Sequence, residues 1–132
     1  MNEQFKRHGA FSWSELMTTD IQAAKAFYAK LFGWTLEDMP MEGMTYTVIK
    51  AGDQEVGGMM ATPPEAEGAP PPMWGTYVTV DDVDRIAQSA LELGATVVVE
   101  PRDIPEVGRF CVIRDPQGAF VSAITYIENP EM

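Results

Sequence analysis

Glu15, in the segment FSWSELMTTD (11–20), is the residue best placed by its neighbours to do chemistry. A carboxyl carried into an apolar cavity has its pKa raised by desolvation. It can then act as a general base, or anchor a cationic part of a ligand. It can equally be the structural partner of an arginine such as Arg114. Trp13, Trp74 and Tyr77 have flat faces able to stack a planar ligand, and they serve equally well as core aromatics. Other reactive groups are few. The one histidine, His8, lies in the polar arm MNEQFKRHGA, and chain ends are usually poorly ordered, so no catalytic role is assigned to it. The one cysteine, Cys111, alternates with Phe110 and Val112 and has no histidine or lysine beside it, the pattern of a buried, inert thiol. Asp81, Asp82 and Asp84 lack the spacing of a calcium loop and precede a helical pattern, where negative charge is stabilising. GDQEVGG (52–58) lacks the spacing of a phosphate loop.

The totals exclude several function classes. Twenty acidic residues against nine basic ones give a net charge of −11. Binding to a nucleic acid duplex or an anionic membrane surface needs clustered Lys and Arg, so neither is expected. One cysteine allows no internal disulfide, and one histidine allows no multi-histidine metal site. With no apolar leader, no run of about 20 apolar residues and a free thiol, the expected location is cytoplasmic. A length of 132 residues with 45% hydrophobic composition fits one globular domain, 1–132.

The elements that must position Glu15 come in two matching sets. Residues 11–17 read as a strand leading into a helix, with Thr19 and Gln22 spaced as a capping box. Ile21, Ala24, Tyr28 and Leu31 fall on one helical face with Phe27 beside them, and Gly33 is placed to end the helix. Strands follow at 34–39, 44–50 and 55–61. The segment TPPEAEGAPPPM (62–73) reads as an extended linker, because its prolines forbid a helix. The pattern then recurs. A strand in WGTYVTVDD leads to a helical face of Val83, Ile86, Ala90 and Leu93, each 62 positions after its counterpart in the first helix. Gly94 takes the place of Gly33, and strands follow at 96–100, 109–114 and 119–127, with a Pro-containing turn after 100 and a reverse turn at Asp115–Gly118. The chain therefore reads as α+β, with duplicated βαβββ modules at about 11–61 and 74–127 whose mixed sheets curl around a shared concave cavity.

Asp20 with AAKAFYAKLFGW (23–34), VTVDDVD (78–84) and RDPQGAF (114–120) resembles the signatures of the glyoxalase / bleomycin-resistance / dioxygenase superfamily, also called vicinal oxygen chelate. The resemblance runs from about Phe11 to Ile127, and WSELMTTD is most similar to the CFP30-type glyoxalase-like branch. It implies four His, Glu or Gln metal ligands, one on each of four strands. Carried over residue by residue, those positions fall on Trp13, near Gly58, on Gly75 (or Trp74) and on Ser122. None supplies the imidazole or carboxylate that a divalent transition metal prefers. The resemblance therefore implies a metal-free member without a cofactor, working as a homodimer, which binds or sequesters a small aromatic or cationic molecule. The alternative is a lyase or isomerase, either metal-independent with Glu15 as general base or metal-dependent with ligands elsewhere. Strand alternation turns Trp13, Glu15, Tyr46 (or Thr47), Gly58, Met60, Gly75, Tyr77 and Ser122 toward the concavity, and these, with Trp74 as a further stacking face, are the expected ligand-binding residues.

Overall fold

The computed structural model describes residues 3–41, 44–62, 71–104 and 107–127. The elements run α1 (Glu3–Lys6), β1 (Phe11–Thr18), α2 (Ile21–Phe32), β2 (Thr35–Met41), β3 (Met44–Ala51), β4 (Gln54–Ala61), β5 (Met73–Thr79), α3 (Val83–Glu92), β6 (Thr96–Ile104), β7 (Gly108–Arg114) and β8 (Phe120–Tyr126). The fold is α+β, with βαβββ order in each half. Most of the Pro-rich linker, residues 63–70, lies outside the described residues.

The chain divides into two compact units, Trp13–Gly75, and Met1–Ser12 with Thr76–Met132. In the first, β4 pairs with β1 in parallel and with β3 antiparallel, and β3 pairs with β2 antiparallel. In the second, β8 pairs with β5 in parallel and with β7 antiparallel, and β7 pairs with β6 antiparallel. Both four-stranded arrangements are mixed in the same way, as duplication requires.

Each helix covers one face of its own sheet. Leu16, Ile49 and Met59 form the first core, with Ile21, Ala24 and Tyr28 of α2 against it. Val80, Val83, Ala87, Cys111, Ile113 and Ala123 form the second, with Ile86 and Ala90 of α3 packed on it. Burial also pushes the Cys111 thiol above its ordinary pKa, which keeps it protonated and unreactive.

Several sequence expectations are corrected. The N-cap of α2 is Asp20, which accepts from the Ala23 amide at 3.0 Å, one residue after the expected Thr19. Gly33 does end the helix in the left-handed conformation, at φ 72°. Leu31 and Leu93 belong to the exposed surface, because the apolar stripe has rotated off the sheet by the end of each helix. The sixth strand continues through Pro101 to Ile104, where a turn was expected. Among the described residues it pairs only with β7, with register shifts around Val99, so the missing proline N–H can point away from the ladder. His8 is held in place: its Nδ1 accepts from the Asp81 amide at 3.0 Å. Arg114 is exposed beside the Asp115–Gly118 turn.

One ion pair ties α2 to its sheet. Lys25 Nζ donates to both oxygens of Asp38 at 2.9 Å, and the buried Thr47 hydroxyl donates to the same carboxylate at 2.8 Å. The Lys25 bonds first, then the Thr47 bond, hold the Asp38 carboxyl below its ordinary pKa. A carboxyl depressed in the folded state adds stability above its unfolded pKa and loses it as pH falls through the folded value. Asp38→Asn is expected to flatten the fall in stability below about pH 4. Urea melts across that range check it, and an unchanged acid limb would contradict it.

Candidate functional site

Strand β1 sends alternate side chains to opposite faces. Leu16 goes into the core under α2. Trp13 and Glu15 take the other face, where both meet Tyr46 from β3. Trp13 Nε1 donates to the Tyr46 hydroxyl at 2.9 Å, and that hydroxyl donates to Glu15 Oε2 at 2.7 Å. The alternatives left open at the third strand are thereby settled: Tyr46 faces Glu15, while Thr47 is buried on the α2 side with Asp38.

Gly58 makes the arrangement possible. It is the register partner of Glu15 on β1 and of Val48 on β3. The Tyr46 side chain crosses the strand directly over it, and a Cβ at position 58 would overlap the phenol. Met60 is the next rung on the same face, paired with Met17. Gly75 leaves room as well, since a Cβ there would stand 4.0 Å from the Glu15 carbonyl oxygen. Trp13, Glu15, Tyr46 and Gly58 are therefore one cluster, with Met60 and Gly75 nearby.

Trp74 stands apart from that cluster. Its Nε1 donates to the Tyr28 hydroxyl of α2 at 3.2 Å, and its ring lies 5.9 Å from that of Trp34. It belongs to the α2 face of the sheet, opposite Trp13. Neighbours on a strand point to opposite faces, so Trp74 and Gly75 cannot share one.

Tyr77 and Ser122 come together in the second half. They are register partners on β5 and β8, as Glu15 and Gly58 are on β1 and β4. Val112 pairs with Ser122 as Val48 pairs with Gly58, which makes Phe110 the counterpart of Tyr46. Its ring lies 6.4 Å from that of Tyr77. Phe110 was not among the residues selected from the sequence. The signal for it is an offset of 64 positions in the later strands, against 62 in the helices.

The order of donors sets what the first cluster can do. The indole N–H donates to the phenol, and the phenol proton goes to the carboxylate. The chain of bonds thus runs toward a negative end, which strengthens it. A group approaching the carboxylate or the phenol oxygen has to donate a hydrogen bond or carry positive charge.

The positions that resemblance assigns to metal ligands hold an indole N–H donor (Trp13), two residues without side chains (Gly58, Gly75) and a hydroxyl (Ser122). That donor set does not fit a divalent transition metal. Among the described residues no group of three or more His, Cys, Asp or Glu stands together to hold an ion. No helix among them is long and apolar enough to cross a membrane.

Residues 10–122 match the family model described as "Glyoxalase/Bleomycin resistance protein/Dioxygenase superfamily". The CFP32 protein of Mycobacterium bovis is 44% identical over 117 residues, covering 88% of this chain and 44% of that protein. The anthracycline biosynthesis protein DnrV of Streptomyces peucetius is 36% identical over 121 residues, covering 92% of this chain and 43% of that protein. The chain thus spans less than half the length of these relatives. Among solved structures, methylmalonyl-CoA epimerase from Mycobacterium tuberculosis superposes with a TM-score of 0.64 at 15% identity, covering 97% of this chain and 93% of that one. At that identity the likeness concerns the fold alone.

Proposed function

The chain belongs to the glyoxalase / bleomycin resistance protein / dioxygenase superfamily, and from that premise we propose that it binds a small aromatic or cationic molecule without a metal. The observation that carries this reading is the hydrogen-bond chain from Trp13 through Tyr46 to Glu15, which ends in a partly buried carboxylate. Trp13 offers a flat face and Glu15 a charge, with Gly58, Met60 and Gly75 leaving space around them. Tyr77 and Ser122, register partners in the other unit, are proposed as ligand-binding residues of that unit, and Trp74 is not part of the Glu15 cluster. The reading includes no cofactor, no nucleic acid and no membrane partner, and it places the protein in the cytoplasm.

The test is a thermal-shift screen against flat aromatic compounds and organic cations. A ligand present at 100 times its Kd adds about 2.7 kcal/mol of stability, which a melting curve shows clearly. The reading expects such shifts from compounds that carry a positive charge. A broad panel in which no compound raises the melting temperature would contradict it.

A second reading makes Glu15 the general base of a metal-independent lyase or isomerase. It is favoured by the Tyr46 hydroxyl, which holds the carboxylate in one orientation. Binding remains the preferred reading, because the indole of Trp13 stands in the same cluster as the carboxylate and suits an aromatic cation. We also propose that this chain forms a homodimer. Sedimentation at micromolar concentration should give about twice 14.6 kDa, and a mass near 14.6 kDa would contradict it.

A further inference from the structure

We propose that the aromatic cleft between α2 and the strands beneath it, on the opposite face of β1 from Glu15, is a separate binding site for a flat aromatic cation. Two adjoining hollows open there, of about 370 and 440 Å³, and both are walled by Tyr28 and Trp74. Each volume lies in the range of pockets that take small molecules. All the lining residues belong to the Trp13–Gly75 unit.

The walls are rings. Trp34 and Trp74 meet at 75° with centroids 5.9 Å apart, and Tyr28 and Trp74 meet at 84° and 5.3 Å. In each such pair the edge of one ring meets the face of the other, so the walls offer a mixture of ring edges and faces against which a planar guest can pack. Phe27 and Phe32 are 57% and 58% exposed, so α2 leaves much of its aromatic surface uncovered. The Trp74 N–H is already committed to Tyr28, so it makes no polar demand on the guest.

Charge selects the kind of guest. Among the described residues, Asp20 is the only charged side chain lining either hollow, and none of those lining residues is basic. The net charge of −11 adds a long-range attraction for cations. An apolar ring system with a positive charge at its edge satisfies both features, and an anion satisfies neither.

The tryptophans separate this site from the one around Glu15. The chain has three: Trp13 belongs to the Glu15 cluster, while Trp34 and Trp74 belong to the cleft. The probe is an acridinium dye, followed by tryptophan quenching and compared with an uncharged anthracene derivative of the same shape. In Trp13→Phe, saturable quenching of the remaining two tryptophans is expected. Phe27→Ser, at a position more than half exposed, is expected to weaken dye binding by at least about 5-fold, with the fold retained and the melting temperature lowered by only a few degrees as the ring contact with Tyr28 is lost. Asp20→Asn keeps a helix-capping side chain, and it should weaken the cation while leaving the neutral compound unaffected. Quenching confined to Trp13 would overturn the cleft site while leaving the Glu15 reading intact. Equal affinity for the neutral compound, or no saturable quenching of Trp34 and Trp74, would also overturn it.

Discussion

Gly58→Ala is expected to destabilise the protein by about 1–3 kcal/mol, the usual cost of overpacking a buried position. It is also expected to abolish binding at Glu15. Gly58 is buried, and a Cβ there overlaps the Tyr46 phenol. The phenol is the end of a side chain, so it can swing out where a backbone group could not. In moving, it releases both the Trp13 N–H and the Glu15 oxygen, leaving two part-buried polar groups without the partner that orients them. The check is a double-mutant cycle. In a Tyr46→Ser background Gly58→Ala should add almost no further cost, because nothing is left for the methyl to displace. Equal costs in both backgrounds would show that Gly58 serves the strand alone.

Glu15→Gln should weaken a cationic ligand by about 10- to 100-fold, the effect of losing a charge-assisted hydrogen bond worth roughly 1.5–3 kcal/mol. The amide keeps the size of the side chain, and its oxygen can still accept from Tyr46. Stability should therefore change little while affinity falls. A neutral aromatic ligand should lose much less, since its stacking on Trp13 survives. Equal losses for charged and uncharged ligands would mean that Glu15 orders the site without recognising charge.

Much of this architecture is legible in the sequence, because duplication repeats its signals. Gly33 ends the first helix as expected, and Asp82 caps the second, accepting from the Arg85 amide at 3.2 Å. The errors have local causes. Leu31 and Leu93 fit a helical period that no longer faces the sheet at the helix ends. Pro101 reads as a strand breaker, yet it is accommodated on a strand paired along one side. At the site, the alternation of β1 identifies Trp13 and Glu15 correctly as same-face neighbours. It cannot fix the phase of β3, so Tyr46 and Thr47 stay equivalent until the hydrogen bonds separate them. Phe110 is hidden by the two-residue change in offset between the halves. Trp74 and Gly75 stand as alternatives for one position in the sequence, and the structure puts Gly75 beside Glu15 and Trp74 against Tyr28.

Calorimetric titration of a cationic aromatic ligand, with and without prior treatment by a strong metal chelator, tests the central claim most directly. If Trp13, Tyr46 and Glu15 hold the ligand without a metal, affinity and stoichiometry should be the same in both titrations. Loss of binding after chelation, restored by adding back Zn, Ni, Mn or Fe, would contradict the account.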